Sequence, residues 1–407
     1  MTEIKCQNKS YDIVIIGGGI VGQLLAAMLG EIGYKVAIIE KKPLISRAKN
    51  NFDNRSIALS YPSICIMKSL GIWNDIECHT TYINNVDISD KGAFRYTSID
   101  KSTESFPFLG AVIQIPHLLE ALSSKLSKYK TVDVISPYGY RSHIQLNGKY
   151  NLILENNNNT FSITASHIIA CDGMNSVVRS KLNIPVEQIN YNQSAFVFNI
   201  KLKRGHNNIA CERFLNNEII AMLPLENQMV SCVWVMSSDQ LVAIETLNDS
   251  DLMVVLQKKF GYKLGRFLKI GTRNIFPLRM IRASKDFDGN ILLFGNSAHT
   301  LHPVAAQSFN LCIRDIGVLH DHLKLYGLNN DTFKNYSIAR MNDHTQTIKM
   351  TDNIINIFNS NNMLIKFFRR KAITLIDHNK FCKLVINHVM MGRLGKMSSL
   401  VKNHTLD

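Results

Sequence analysis

Apolar residues near the start of the chain form two strand-like runs separated by a helical pattern. Residues 11–16 (YDIVII) are almost continuously apolar, as expected of a strand that is buried on both faces of a parallel sheet. Residues 23–31 (QLLAAMLGE) carry apolar side chains at helical spacing, and residues 35–40 (KVAIIE) form a second strand-like run. The pattern predicts a strand, a helix and a second, parallel strand.

A glycine-rich turn, GGGIVG at residues 17–22, joins the first strand to the helix. Gly17 permits the tight turn, Gly19 lets the backbone approach a pyrophosphate, and Gly22 lets the helix pack closely on the strand. The helix N-terminus favours the negative charge of the phosphates. Glu40 lies 18 residues beyond Gly22, where a carboxylate binds the adenosine ribose and disfavours a 2′-phosphate. The segment predicts a dinucleotide site, and a glycine turn without a ligand is the alternative.

The middle of the chain is predicted to consist mainly of strands. Asn147-Gly148 lies between two short apolar runs and indicates a hairpin with a type I′ turn. Three further runs predict an inserted sheet that covers a cofactor: residues 194–203, 219–223 and 230–236. From about Thr332 onward the pattern is helical.

Two later motifs follow predicted buried strands. The run 161–170 leads into Cys171-Asp172-Gly173, with Arg179 on the helix that comes next. The run 291–294 leads into Gly295-Asn296-Ser297-Ala298-His299, and the chain continues through Pro303 to a helix that begins near Asn310. With the glycine turn, these motifs outline one elongated FAD site. A helix N-terminus directed at the flavin pyrimidine would stabilise the charge of the reduced ring.

His299 and His302 lie within the third motif, and each is a candidate acid–base group. A structural imidazole bonded to nearby backbone is the favoured interpretation for both, so neither is predicted to be a catalytic base.

Length and composition indicate a globular chain with two lobes, since 407 residues exceed one ordinary hydrophobic core. No apolar stretch reaches the length of a membrane span, and the polar residues 1–10 do not resemble a secretory signal. The eight cysteines are scattered, without C-x-x-C spacing or clustered histidines. This predicts a reducing cytoplasm and neither a metal site nor a disulfide framework.

The formal net charge is +14, and nine Lys or Arg residues face the single acid Asp377 between positions 366 and 402. Bulky apolar residues alternate with these cations, which suits peripheral contact with an anionic inner membrane. An ordinary packed helix with solvated lysines is the alternative. No nucleic-acid motif is present, so a nucleic-acid partner is not predicted.

The chain resembles the class A FAD-dependent aromatic hydroxylases over essentially its whole length, and most closely the ubiquinone-biosynthesis branch that hydroxylates 2-polyprenyl-6-methoxyphenols. The similarity rests on these strings: IIGGGIVG (15–22), DNRSIALS (53–60), CDGMNSVVR (171–179), ERFLNNEIIAMLPL (212–225), IFPL (275–278), GNSAHTLHPVAAQSFNLCIRD (295–315) and TDNIINIF (351–358). The motif 295–315 is the most specific of them.

The resemblance implies an α/β fold: a Rossmann-like FAD-binding domain of the p-hydroxybenzoate hydroxylase type, an inserted β-sheet substrate domain and a C-terminal helical segment. The discontinuous FAD-binding domain would comprise residues 1–75, 105–185 and 280–330. The β-rich substrate domain would comprise 76–104 and 186–279, and the C-terminal helices 331–407.

The resemblance also implies the chemistry. NAD(P)H would bind transiently and reduce FAD, O2 would form a flavin C4a-hydroperoxide, and the distal oxygen would be transferred to the ring of a polyprenyl phenol. The cofactor carries this chemistry, while the protein positions the ring and excludes water. A quinone-biosynthesis complex is an implied partner. The alternative function is a catalytically weak or inactive structural subunit of such a complex.

Residue roles follow from the same correspondence. Gly17, Gly19, Gly22 and Glu40 would hold the ADP half, Arg55 the pyrophosphate or ribityl region, and Asn296 the ribityl chain. Asp172 and Gly173 would lie near FAD and the nicotinamide path. The backbone of Pro303 would line the ring-facing pocket, where its carbonyl could accept a phenol proton. The remaining predicted cofactor-binding residues are Gln114, Ala306, Gln307, Ser308 and Asn310.

Two segments depart from the family pattern. The loop A-G-Q-G-x-N-L-G of the family is here A-A-Q-S-F-N-L-C, residues 305–312. A side chain at Ser308 would cost on the order of 1 kcal/mol if that position requires positive φ. Ile115 and Pro116 stand where the family often has Arg or Asn for the flavin phosphate, which leaves Gln114 as the polar candidate.

Overall fold

The computed structural model describes residues 5–44, 55–91, 96–103, 106–157, 159–360, 362, 379, 388, 392 and 397–402. The strands are β1 (Lys5–Ile16), β2 (Val36–Ile39), β3 (Ser56–Ser60), β4 (Thr80–Ile83), β5 (Asn85–Asp90), β6 (Tyr96–Asp100), β7 (Gly110–Gln114), β8 (Val132–Ile135), β9 (Gly139–Leu146), β10 (Lys149–Glu155), β11 (Thr160–Ala170), β12 (Val186–Leu202), β13 (Ile209–Leu215), β14 (Glu218–Leu225), β15 (Met229–Ser237), β16 (Phe267–Ile270), β17 (Asn274–Ala283), β18 (Phe287–Asp288), β19 (Ile291–Leu293) and β20 (His299–Thr300).

The α-helices are α1 (Ile20–Ile32), α2 (Tyr61–Ser69), α3 (Trp73–Ile76), α4 (Ile115–Leu126), α5 (Val177–Lys181), α6 (Ser238–Glu245), α7 (Asp249–Phe260), α8 (Gln307–Tyr326), α9 (Thr332–Asn359) and α10 (Ser399–Lys402). Short 3-10 helices cover Glu77–His79, Lys101–Thr103, Gly295–Ser297 and Val304–Ala306. Within the described residues, no helix combines the length and the apolar character needed to cross a bilayer.

The first sheet contains five adjacent parallel strands in the order β19-β11-β1-β2-β8. Its central strands are buried on both faces, which explains their continuous apolar runs. The register aligns Ile16 with Ala170 and with Ile39, and Ala170 with Leu293. The glycine turn, the Asp172 motif and the Asn296 motif therefore all begin at the same carboxyl edge of the sheet, where α/β proteins bind ligands.

The predicted hairpin is confirmed by β9 and β10, which pair antiparallel and extend this sheet alongside β11. Asn147 and Gly148 both have positive φ, at 50° and 75°. Those angles are the requirement of a type I′ turn.

A second, mainly antiparallel sheet has the order β20-β17-β12-β15-β14-β13-β5-β6, with β16 also paired to β12. A third sheet contains the three strands β3-β7-β4; β4 and β7 contact β14 of the second sheet, and β3 and β7 contact helix α2. Strands β5 and β6 come from residues 85–100, and β5 pairs with β13 from the later segment, so the second sheet is discontinuous in sequence. The domain boundaries given above remain a prediction.

Helices pack on the first sheet and on one another. Helix α1 packs against α4 and α8, and α9 packs against α8. Leu400 and Val401 of α10 are buried in the same core as α2. Most of the basic segment 366–402 lies outside the described residues, and its predicted contact with a membrane stays a prediction.

Candidate functional site

The glycine turn has one position that is open toward a ligand and two that are closed by backbone. A Cβ on Gly17 would lie 2.3 Å from the Cys171 carbonyl oxygen, and a Cβ on Gly22 would lie 2.0 Å from the Gly17 carbonyl oxygen. Gly17 also has φ +109°. A Cβ on Gly19, the N-cap of α1, would meet nothing within 4 Å. The turn is therefore tightly packed within the protein, with free space on the side where phosphates would lie.

Glu40 is held in place by backbone N–H groups. The Gly18 N–H donates to its Oε2 at 2.8 Å, and the Lys42 N–H donates to its Oε1 at 3.0 Å. Both bonds tie the carboxylate to the glycine turn and to the end of β2. Glu40 lines a cavity of about 910 Å³, named here the Glu40 cavity.

Asp172 also lines the Glu40 cavity. Its Oδ2 accepts hydrogen bonds from the N–H groups of Val177 (2.7 Å) and Val178 (3.2 Å) at the start of α5. Its Oδ1 is buried and has no hydrogen-bond partner within the described chain. Gly173 has φ +87° and open space where a Cβ would stand. A buried acceptor beside an open backbone fits a hydroxyl-bearing ligand.

Arg179 joins the second motif to the third. Its guanidinium donates to the Ser297 carbonyl at 2.8 Å and to the Met174 carbonyl at 2.7 Å. The side chain is buried, and this burial lowers the pKa of the guanidinium from its ordinary value. Arg179 thus fixes the relative position of two turns that are more than a hundred residues apart.

A second cavity of about 720 Å³, the Arg55 cavity, adjoins the first and shares Gly19, Lys42, Cys171 and Gly173 with it. Its further lining residues include Arg55, Phe276, Asn296 and Phe309. The Arg55 guanidinium lies 5.2 Å from the centre of the Phe276 ring, a cation–π contact. Together the two cavities form one elongated cleft.

Gln114 is not among the residues that line the Arg55 cavity, whereas Ile115, Pro116 and Leu119 are. Gln114 ends β7 and precedes α4. The side of the cavity on which a polar side chain was expected to contact the flavin phosphate is therefore apolar. The assignment of Gln114 as a cofactor-binding residue remains a prediction that the geometry does not favour.

The loop 303–310 carries its strain at a different residue from the one expected. Ala306 has φ 49° and ψ 34°, in the left-handed region, whereas Ser308 lies in the first turn of α8 and is absent from the positive-φ residues. The condition for strain at Ser308, a positive φ, is therefore not met, and Ala306 is the residue of the loop in the left-handed region. Ser308 Oγ instead lies 3.5 Å from Oδ1 of Asn296, a lining residue of the Arg55 cavity.

Asn310 fastens this loop to the rest of the protein. Its Oδ1 accepts bonds from the Ser60 N–H (2.9 Å) and the Ser63 hydroxyl (2.7 Å), and its Nδ2 donates to the carbonyls of Ala58 (2.9 Å) and Ala306 (2.8 Å). Four bonds occupy the amide, so a cofactor contact from this side chain would have to displace one of them. Gln307, next to Ala306, is buried at 2% exposure.

A third cavity, the Pro303 cavity, has a volume of about 330 Å³ and meets the Arg55 cavity at Phe309. Strand β3 forms one wall, and β13, β14 and β15 form another. Residues 302–310 close the third side. Its walls are mainly aliphatic, so it suits an apolar ligand. The Pro303 carbonyl already accepts the Ala306 N–H at 3.1 Å, so the predicted phenol contact would share this oxygen.

A buried ionic cluster beneath the third motif was not predicted. Asp315 accepts bonds from Arg340 Nε (2.6 Å) and His344 Nε2 (2.8 Å), and His299 Nε2 lies 3.4 Å from its other oxygen. Despite burial, the attraction of Asp315 raises the pKa of His344 to about 9. The same cations hold the pKa of Asp315 well below its usual range.

His299, Asp315 and His344 have the ligand types and proximity of a metal site. However, Asp315 is already neutralised by Arg340 and by protonated His344, which disfavours a further cation. The prediction that the protein binds no metal stays a prediction. The polar residues 340, 343, 344 and 347 recur at helical spacing along α9, and that spacing was the available sequence signal for a buried polar helix face.

The chain matches the family described as FAD binding domain over residues 10–340. It is 25% identical to a ubiquinone hydroxylase of Rhodospirillum rubrum, covering 95% of this chain and 91% of that protein. It is 27% identical to 3-demethoxyubiquinol 3-hydroxylase of Escherichia coli, covering 83% of this chain and 87% of the relative.

The structure is similar to that of p-nitrophenol 4-monooxygenase from Pseudomonas putida, with a TM-score of 0.78, 15% identity, and coverage of 95% of this chain and 99% of the other. This likeness concerns the fold. It confirms the predicted fold class, a Rossmann-like FAD-binding architecture with an added β-sheet and C-terminal helices.

Proposed function

Because this chain belongs to the family described as FAD binding domain, we propose that it hydroxylates the aromatic ring of a polyprenylated phenol in ubiquinone biosynthesis. Family membership confirms the predicted FAD cofactor, and the use of NAD(P)H is typical of the family. The relatives named as ubiquinone hydroxylases confirm the predicted resemblance and enzyme class, a monooxygenase that uses O2. They do not favour the alternative of an inactive structural subunit.

One observation carries this proposal: an elongated polar cleft opens at its inner end onto an apolar cavity. The cleft consists of the Glu40 and Arg55 cavities, and the apolar part is the Pro303 cavity. A dinucleotide cofactor needs the first, and an apolar ring substrate needs the second. Their junction at Phe309 is where cofactor and substrate would react.

The residues of the Glu40 cavity fit the ADP half of FAD. Gly19 and Gly173 leave space where any side chain would enter the cleft. Glu40 is oriented by two backbone N–H groups, as an acceptor for ribose hydroxyls should be. The buried Oδ1 of Asp172 supplies a further acceptor. The N-terminus of α1 would lie next to the pyrophosphate.

The Arg55 cavity would hold the ribityl chain and the isoalloxazine ring. Arg55 would contribute positive charge, and Asn296 would contribute an amide. The N-terminus of α8 follows Ala306 directly, so its N–H groups and dipole would stabilise negative charge on the reduced ring. When bound, FAD supplies the redox chemistry and the activation of O2.

The Pro303 cavity would position the phenol ring and exclude water. Its aliphatic walls come from the second sheet, the third sheet and the loop 302–310, so its shape is set by packing. Exclusion of water protects reactive intermediates from hydrolysis and other side reactions. A cavity of about 330 Å³ holds the ring and the start of a prenyl tail, and the rest of the tail would extend beyond it.

Substitution of Gly19 by Val tests the proposal. A Cβ at position 19 would meet nothing within 4 Å, so a valine there should place its side chain in the cleft, with folding retained and FAD lost. Gly205→Val is a matched control, since a Cβ there meets only Asn207 Oδ1, at 3.9 Å.

The purified wild type should be yellow, should oxidise NAD(P)H faster when a 2-prenyl-6-methoxyphenol is added, and should release a hydroxylated product detectable by mass spectrometry. The Gly19→Val protein should be folded and colourless, with no product. A wild type that is folded, colourless and inactive after addition of FAD would contradict the proposal.

The proposed location is the cytoplasm, with peripheral contact at the inner membrane and association with a quinone-biosynthesis complex. The net charge of +14 and the prenylated substrate of the proposed reaction support this location. Co-sedimentation with liposomes containing anionic lipids should exceed that with neutral liposomes and should fall as salt is added. Equal sedimentation with both would contradict membrane contact.

A further inference from the structure

The Pro303 cavity has mainly aliphatic walls, but two of its lining residues carry buried polar atoms that lack a partner. His302 Nε2 and Ser56 Oγ make no hydrogen bond within the part of the chain that the structure describes. Buried polar groups are normally hydrogen-bonded, and the few polar atoms of an apolar pocket usually orient its ligand. These two atoms are therefore candidates for binding substituents of the ring.

His302 is the better defined of the two, because its protonation follows from its surroundings. The Val304 N–H donates to Nδ1 at 3.2 Å, so Nδ1 carries no proton. Burial lowers the pKa of the imidazole to about 4, so the ring is neutral near pH 7. The single ring proton is then on Nε2. His302 is thus a hydrogen-bond donor at Nε2 and cannot act there as an acceptor.

The orientation of this imidazole is fixed by its neighbours. The ring packs edge to face with Tyr191, with 5.1 Å between the ring centres and 85° between the planes. The Tyr191 hydroxyl in turn donates to Asp352 on α9. His302 is 1% exposed, so Nε2 is shielded from bulk solvent. A fixed donor that has no partner is suited to bind an acceptor on a ligand in the adjacent cavity.

We propose that His302 Nε2 donates a hydrogen bond to an oxygen substituent of the ring substrate and thereby sets which ring position faces the cofactor. This inference rests on the proposed function for the identity of the substrate. Ser56 Oγ, on the β3 wall, is placed to bond a second ring oxygen. The site would therefore select aromatic rings with oxygen substituents over hydrocarbon rings of similar size.

Two substitutions separate binding of the ligand from support of the loop. His302→Asn keeps an acceptor near the position of Nδ1 for the Val304 N–H but removes the donor at the position of Nε2. His302→Gln extends an amide to about the position of Nε2 and retains a donor there. A purely structural role would be preserved better by Asn, and a donor role would be preserved better by Gln.

The ligands are 2-methoxy-6-(3-methylbut-2-enyl)phenol and 3-methylbut-2-enylbenzene, which lacks ring oxygens. Dissociation constants are measured by isothermal titration calorimetry on the purified full chain. The wild type should prefer the oxygenated ligand by on the order of tenfold. His302→Asn should lose most of this preference, and His302→Gln should recover part of it. The ratio of the two constants within one variant is unaffected by an inactive fraction of protein.

A preference that is unchanged in His302→Asn would overturn the inference and would leave the imidazole with a role in the loop and the Tyr191 contact alone. Equal weakening of both ligands would overturn it too. The proposed function fails separately, through absence of NAD(P)H oxidation and of hydroxylated product. In the active enzyme, His302→Asn should also raise the ratio of hydrogen peroxide to hydroxylated product, since a misplaced ring captures less of the oxygen.

Discussion

The two ends of the cleft are built in different ways. The Glu40 cavity lies at the carboxyl edge of the parallel sheet, where it is lined by the turns that follow β1, β2, β8 and β11. The Pro303 cavity is formed by side chains of the second and third sheets and of one loop. Backbone geometry tolerates few substitutions, while a wall of side chains accepts many. The cofactor end should therefore be sensitive to single changes in the turns, and the substrate end should be adjustable.

The largest effect is expected at the closed glycine of the first turn. Gly22→Ala would place a Cβ 2.0 Å from the Gly17 carbonyl oxygen, a contact that forces the backbone of helix or turn to move. The expected cost is about 3 kcal/mol or more of unfolding free energy, measured by urea denaturation of the protein without added FAD. Gly19→Val should cost less than about 1 kcal/mol in the same assay. Equal losses at both glycines would contradict the division into closed and open positions.

The next effect concerns the ionic cluster under the Asn296 motif. Burial and Arg340 lower the pKa of His344, but Asp315 and Asp286 outweigh them and raise it to about 9. The protonated form therefore adds stability that is complete below about pH 6.5 and is lost as the pH rises through about 9. The melting temperature should fall over this interval, and the fall should be smaller in His344→Gln. His79→Gln, at an exposed site, is the control; the same pH slope in wild type and His344→Gln would show that the cluster does not titrate there.

A change in the substrate end should alter binding without affecting the cofactor. Ala221 lines the Pro303 cavity from β14, and Ala221→Phe would fill part of its volume. The KM for a prenylated phenol should rise by about tenfold or more, as expected when a ring must be displaced from an apolar pocket. The flavin content should match that of the wild type. A loss of flavin in this variant would mean that the two cavities are not independent.

The smallest effect distinguishes the two unusual residues of the loop. Ala306 is in the left-handed region, so Ala306→Gly should stabilise the protein by about 0.5–1 kcal/mol. Ser308 lies in the first turn of α8 without positive φ, so Ser308→Gly should bring no such gain. Thermal denaturation of both variants measures the difference. The opposite order of melting temperatures would indicate that Ser308, and not Ala306, is the strained residue.

Some parts of the site followed from short stretches of sequence. The turn at residues 17–22, the acid Glu40 and the Asn147-Gly148 hairpin could be predicted because each depends on conformations available to a few neighbouring residues. Gln114 illustrates the limit of that approach. The sequence predicts Gln114 as the polar residue nearest to an expected phosphate contact. The direction of a side chain at the end of β7, however, depends on packing against distant elements. Ile115 and Pro116 line the cavity instead.

The amino-acid sequence alone determined the parallel strands, the glycine turns after them and the FAD-binding class, because local backbone constraints and apolar periodicity act over a few residues. Only the tertiary structure decided that Asn310 is saturated by four bonds, that Ala306 adopts the left-handed conformation and that Arg340 and His344 neutralise Asp315. It also decided that His302 borders an apolar cavity. These features depend on atoms supplied by segments far apart in the chain, and their positions are set by how the sheets and helices pack.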